Sequence, residues 1–349
     1  MKISYVSSQS ITQALRHSLL KMQSELVSGQ KEVQTGRVAD LGLSLGIRTG
    51  QAVSLARDVS RLDTIVASNS VASARLSATQ GALTQLSDAA SDFLTALTAA
   101  VSGDANPATS AQAATAMLQT LTGIVNASFN GEHIFAGVNT DVQPLADFTA
   151  TPTQANKAAF DAAFLAEFGF AQDDPAAANL SGEQIRAFID GPVAEQFLGD
   201  GWRANWSSAT DHGITTRIAV NETTEVSVSA NVDGIRKLAM AAALVSDLFN
   251  SELHEGALIE IAQAATRLVG EAMGDIAQTQ ARIGFGEQRI ANASERISMQ
   301  IDIFKSFLNN LEGVDPYEAS TRVNALITQI ETSYALTARI QQLSLTRFL

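Results

Sequence analysis

The residues most able to do chemistry in this sequence are Glu132 and His133, which lie in "FNGEHIFAG" (Phe129 to Gly137) between Gly131 and Gly137. A carboxylate beside an imidazole can move a proton, and flanking glycines let a backbone approach a ligand closely. Neighbours in sequence do not face each other in a helix or a strand, however, so adjacency alone does not make the pair cooperate. The remaining histidines, His17, His212 and His254, form no i, i+4 pair that could hold a metal from one helix face. "LGLSLGIRTG" (Leu41 to Gly50) has the glycines of a phosphate loop. It has no preceding strand, no G-x-G-x-x-G spacing and no Lys-Ser/Thr ending, and it reads as a flexible hinge between helices. Asp211, Glu222 and Glu225 flank an expected strand pair and read as its solvated edge. No catalytic, cofactor or metal site is expected from these patterns.

The elements that would have to position such residues are mostly helices. The chain has 349 residues, 46% of them hydrophobic but only 6% aromatic, a composition of Ala, Leu, Ile and Val that suits slender helix-on-helix packing. A net charge of −13 repels phosphate backbones and anionic lipid, so no nucleic-acid or membrane partner is expected. The absence of cysteine excludes disulfides, thiolate metal sites and a thiol nucleophile. No apolar run is long enough to span a bilayer, and the first residues carry no cleavable signal pattern.

From Ser10, Ile11, Leu15, Leu19, Met22, Leu26 and Val33 recur at helical spacing on one face. After the glycine-bearing segment, Leu55, Val59, Leu62, Val66, Leu76, Leu83 and Leu97 continue a second, longer stripe, and a shorter helix then runs into the Glu132 corner. Beyond Gly137 the texture changes to clustered aromatics, from Phe148 to Trp206. Period-two alternation follows at Ile214, Thr216, Ile218 and Val220, and again at Val226, Val228, Ala230 and Val232. It predicts one β-hairpin turning across "NETTE", with strands only in this middle region. Helical periodicity then returns and sharpens into a heptad, Ile283, Ile290, Ile297, Phe304 and Leu311, in which Gly286 permits a close backbone approach. Asp315-Pro316 stops it, and a last helix carries Val323, Leu326, Ile327, Ile330, Tyr334, Ile340 and Leu343. The fold expected is mainly α, an elongated antiparallel coiled-coil or helix bundle of the N- and C-terminal segments, with a small α+β middle domain containing a β-hairpin. Its expected division is 1–45 with 312–349 as a terminal helical domain, 46–140 with 235–311 as a long-helix bundle, and 141–234 as an inserted outer domain. Amphipathic ends of this kind should pair with each other and with further copies, which favours an interaction protein over an enzyme or an adhesin built on the insertion.

The chain resembles the flagellin family, and within it the hook-associated members more than the filament subunits. "ISYVSSQSITQALRHSLLKMQSELVSGQKEVQTGRVAD" is similar to that family's opening helix and following turn, here Gly29, Gly36 and Asp40. "GEHIFAGVNTD" resembles its corner, here Gly131, Phe135, Ala136, Gly137 and Thr140, and makes "FNGEHIFAG" a turn instead of an active site. "DPYEASTRVNALITQIETSYALTARIQQLSLTRFL" resembles its closing helix, with Glu318, Ala319, Leu326, Leu343, Ser344 and Leu345 matching. The resemblance implies an extracellular flagellar protein without cofactor, exported by the flagellar type III apparatus with a chaperone and without a cleaved signal peptide. It also implies a ring of copies, with a neighbouring hook-associated protein and flagellin as partners. The assembly interface expected is Ile11, Leu15, Leu19, Met22, Leu26, Ile297, Phe304, Leu311, Leu326, Ile330, Leu343 and Leu345, with Gly131, Phe135 and Gly137 as the domain corner.

A charge on this stripe is the first test. Ile297→Asp or Leu326→Asp should abolish incorporation into the assembly while the middle region stays protease-resistant; normal incorporation of either variant would sink the coiled-coil account.

Overall fold

A computed structural model describes residues 8–102, 106–249 and 253–345. In chain order the helices are α1 (Ser8–Thr35), α2 (Leu41–Leu45), α3 (Thr49–Val101), α4 (Pro107–Val125), α5 (Ala155–Phe168), α6 (Gly182–Phe188), α7 (Ala194–Leu198), α8 (Asp233–Leu248), α9 (Glu255–Glu312) and α10 (Pro316–Leu345). The strands are β1 (Ser128–Phe129), β2 (Glu132–His133), β3 (Thr215–Ala219) and β4 (Glu222–Glu225). The protein is thus mainly α, with two small antiparallel hairpins. It divides into two compact units, 1–64 with 297–349 and 65–296.

Local chemistry sets the helix ends. Asn106 caps α4 by accepting from the Ala108 amide, and Pro107 opens the helix where a missing N–H costs nothing. Ser181 and Gln184 form a capping box at α6. Asp315 accepts from the Tyr317 amide ahead of α10, whose first residue is Pro316. The expected hinge at Leu41 to Gly50 is instead ordered: Asp40 caps α2, a 3₁₀ turn covers Gly46–Arg48, and the Thr49 hydroxyl donates to the carbonyls of Leu41 and Gly46.

In the unit 65–296, α3 and α9 run antiparallel. Buried residues on α9 step by three and four through Val269, Ala272, Ile276, Thr279, Ile283, Gly286, Ile290 and Ala293, so large side chains alternate with small ones. The register is readable across the seam. Asn69 Nδ2 donates to Ser294 Oγ at 3.0 Å, Gln280 Nε2 donates to Thr84 Oγ1 at 3.2 Å, and a Cβ on Gly286 would sit 3.5 Å from Leu76 Cδ1. Helix α8 is buried nearly all round, its Ala239, Ala241, Ala242 and Ala243 keeping it thin enough to pack closely against α4. A Cβ on Gly234 would meet Ile276 Cγ1 at 2.9 Å, which brings the start of α8 against α9.

The aromatics of the middle segment belong to the same core as α4, α8 and α9. Phe160, Phe164, Phe188 and Phe197 are fully buried, and Phe160 meets Phe148, Phe188 and Phe197 edge-on at 6.0–6.4 Å. The Trp202 and Trp206 rings stack at 5.6 Å.

The strands differ from expectation in two ways. A hairpin precedes the middle region: Asn130 (φ 52°) and Gly131 (φ 84°) make a two-residue turn that joins β1 to β2, the Asn-Gly pair favoured where both turn residues need positive φ. In the later hairpin, Glu222–Glu225 is itself the second strand, with Thr216 opposite Thr224 and the turn at Val220 and Asn221. Val226, Ser227, Val228 and Ala230 are all buried, since that segment runs on along the core beyond the strand pair. The Ala230 amide bonds to the Phe135 carbonyl and not to β3.

One charged group is drawn into this core. Lys157 meets Asp247 at 3.1 Å and also pairs with Asp161; three-quarters of the Lys157 side chain and nine-tenths of the Asp247 side chain are buried. Burial pushes the Asp247 carboxyl above its ordinary value despite the opposing Lys157 charge. Burial also works against the Lys157 ammonium, but its two carboxylates outweigh it and hold its pKa above the usual value. Since the folded pKa of Asp247 is raised, its contribution to stability is present below the ordinary carboxylate value and is lost as pH rises through the shifted one. Lys157→Met should cost about 3 kcal/mol near neutral pH by leaving that carboxylate unpaired. The cost should shrink as Asp247 protonates in acid, as read from denaturant midpoints across pH.

Candidate assembly interface

In the unit 1–64 with 297–349, α1 and α10 lie antiparallel. Gln23 Nε2 donates to the Tyr334 hydroxyl at 3.0 Å, and Glu32 pairs with Arg322 at 3.6 Å. A Cβ on Gly29 would meet Val323 Cγ2 at 2.9 Å, so a larger residue there would push the helices apart. Beyond α1 the chain is stitched to the end of α9: the Val38 amide donates to the Glu312 carbonyl, the Val314 amide donates to the Gly36 carbonyl, and Arg37 pairs with the buried Glu312 side chain at 3.4 Å.

The residues expected to form the interface are therefore occupied in part within the chain. Leu15, Leu19, Met22 and Leu26 on α1 and Leu326 and Ile330 on α10 are half-buried along this pair. Ile11 is exposed, Phe304 and Leu311 are half-buried, and Ile297 is buried. The side chains of Leu343 and Leu345 lie outside the described residues. What pattern reading missed is the opposite face. Leu20, Val27, Ile303, Phe307 and Leu336 are exposed, as are Leu43 and Ile47 at 88% and 102%. Ile327 and Tyr334, on the stripe expected for α10, are also partly exposed, although Tyr334 faces α1 through its bond to Gln23. These belong to the unit holding a third of the residues but, among the described residues, two-thirds of the exposed large apolar side chains. The missed signal was apolar residues off the main stripe: a helix in a two-helix pair buries one face only.

The domain corner forms as a knot of backbone bonds. The Thr210 amide donates to the Ala136 carbonyl, and the Ala230 amide to the Phe135 carbonyl at 2.7 Å, so Phe135–Gly137 holds two distant segments of the chain. Phe135 and Ile134 point into the core. Gly137 has φ 66°, and a Cβ there would lie 2.4 Å from the Thr210 carbonyl oxygen. Glu132 and His133 serve the same joint. Arg75, its side chain 8% exposed, reaches Glu132 Oε2 at 2.5 Å and the His133 carbonyl at 3.2 Å. His133 Nδ1 lies 2.8 Å from the Asn126 carbonyl. Each side chain is engaged by its own partner, so the two are not arranged as an acid–base couple. Among the described residues, no three His, Asp or Glu side chains gather as a metal site, and no helix is long and apolar enough to cross a membrane.

Paired terminal helices with an apolar outer face, carrying a core domain between them, define a self-associating structural subunit. Residues 6–140 match the model of the bacterial flagellin N-terminal helical region, and residues 266–349 that of the C-terminal helical region. Together they span more than half the sequence, and the chain belongs to the flagellin family. It is accordingly a structural, non-enzymatic component of the bacterial flagellum that self-assembles into flagellar polymers. Among solved structures, a Vibrio parahaemolyticus chain provisionally described as a flagellar hook-associated protein shares the fold. Its TM-score is 0.51 at 10% identity, over 76% of this chain and 97% of that one. Comparison with curated proteins finds no match.

The corner separates two costs of glycine replacement. Gly131→Ala, with open space around it, should cost about 1 kcal/mol for the left-handed backbone alone. Gly137→Ala adds a backbone collision and should cost at least about twice that; equal unfolding midpoints for the two variants would contradict the geometry.

Proposed function

We propose that this chain is the adaptor at the junction between flagellar hook and filament, present as a single ring of copies between a neighbouring hook-associated protein and flagellin. The observation that carries this reading is the fold it shares with the Vibrio parahaemolyticus hook-associated chain across nearly all of that chain's length. In this reading the unit built on α1 and α10 packs toward the axis, and the apolar side chains it leaves exposed are covered by neighbouring subunits. The segment 141–234 faces outward, delivery runs through the flagellar type III apparatus with a dedicated chaperone, and the protein's place is the extracellular junction.

A second reading, filament flagellin, fits the family models, whose descriptions name bacterial flagellin. The two differ in what the protein does alone. An adaptor awaits a template; a filament subunit polymerises on its own kind. Sedimentation velocity of the full chain across a concentration series, in conditions that polymerise flagellin, should show persistent monomer with protease-sensitive ends around a resistant core. Long filaments would assign it to the filament instead.

A further inference from the structure

The most exposed apolar pair in the described chain sits on one of its better-tied turns. Leu43 and Ile47, four residues apart, are 88% and 102% exposed. The segment that carries them is held by Asp40 accepting from the Leu43 amide at 3.0 Å, by the Thr49 hydroxyl, and by Lys31 donating to the Ala39 carbonyl at 3.0 Å. A mobile loop could fold such residues inward; a hydrogen-bonded turn cannot, and it has already lost the entropy that docking would otherwise cost. One helical turn further on, the same unit carries an apolar groove of about 450 Å³ between the start of α3 and the end of α9, lined by Gln51, Ser54, Leu55, Phe307, Asn310 and Leu311. The fully exposed Ile47 side chain does not enter it.

We infer that the Leu41–Arg48 turn is a knob that seats in the Leu55–Phe307–Leu311 groove of a second copy of this chain. The inference rests on the reading of the protein as a self-assembling subunit. Rings and helical polymers require heterologous contacts, in which one patch of each copy meets a different patch of the next. The knob and the groove are two such patches, both apolar and both on one compact unit. Charge agrees with this pairing. Arg48 is exposed beside Ile47, Asp58 lies one turn along α3 from the groove residues Ser54 and Leu55, and neither has an ion-pair partner among the described residues. The knob thus carries an unpaired cation and the groove an unpaired anion one helical turn from its lining, a complementary pair for a second copy.

The cysteine-free sequence makes the test clean. Ile47→Cys and Asn310→Cys are produced as separate full-length copies in one flagellated cell, and the assembled flagella are oxidised. The expected product is a disulfide-linked dimer from the mixture and none from either variant alone, since the bond forms only between Cα atoms within about 7 Å. Dimers from one variant alone would indicate a two-fold contact and overturn the inference, as would absence of the mixed dimer from flagella that contain both variants. A benzophenone side chain at position 47 that captured flagellin or another hook protein in place of a second copy would also overturn it. Leu43→Ser with Ile47→Ser, at surface positions that leave the fold intact, should lower incorporation about tenfold; unchanged incorporation would count against the knob. The chain carrying both cysteines separates this inference from the junction reading. A cross-linked ladder ending at a fixed size means a closed ring. A ladder without an upper end means a filament, so that the junction reading fails while the knob and groove stand. A cross-link formed only within single chains overturns the contact itself.

Discussion

Antiparallel pairing of segments from opposite ends of the sequence is the constraint on which the rest depends. Gln23 bonds to Tyr334 across 311 residues, and Asn69 to Ser294 across 225. Closing such long loops costs only logarithmically more than closing short ones, so the bill falls on the quality of the seam. On α9 that quality comes from size alternation: Ile283 and Ile290 fill space, and Gly286 and Ala293 yield it to Leu76 and its neighbours. Gly29 does the same for Val323 between α1 and α10. Buried Asn69, bonded to both Ser294 and the Ile218 carbonyl, ties the seam's register to β3, since a shift by one residue would strand its amide.

A seam of this kind leaves the middle of the chain free to diverge, provided its entry and exit are held together. The corner does this. Phe135 and Ala136 accept from Ala230 and Thr210, so the turn that leads into the middle segment also receives the chain coming out. Arg75 reaches in from α3 to Glu132 and the His133 carbonyl, tying that joint to the long helices. The N-terminal family model ends at residue 140, immediately past the Phe135–Gly137 side of this knot.

The distribution of apolar surface links the architecture to assembly. Apart from exposed Phe285, the unit 65–296 packs its aromatics into a core of its own, whereas the unit of the terminal helices keeps Leu20, Val27, Phe307 and Tyr334 in solvent. An isolated protein gains nothing from such exposure, and a polymer subunit requires it. Among the described residues, the outer faces of the α1–α10 pair keep Leu20, Val27 and Leu336 exposed, so they are available to other copies.

Periodicity determined a great deal in this chain. The stripes from Ile11 to Leu26 and from Ile283 to Leu311 and the stop at Asp315-Pro316 follow from local chemistry, because helix spacing and proline act within a few residues of themselves; the corner at Gly131 and Gly137 was legible only through the family resemblance. The sequence could not say what each stripe would meet, because contact partners hundreds of residues apart leave no local trace. Only the tertiary structure shows Leu15 and Leu326 turned toward the chain's own helix pair, Leu43 and Ile47 turned away from it, and Glu132 spent on Arg75. It also makes "ETTE" a strand where alternation alone read a turn, since Thr224 is buried opposite Thr216 while Val226 and Val228 continue along the core. Which face of an amphipathic helix is closed and which stays open depends on how many helices surround it, and that number is a property of the folded chain.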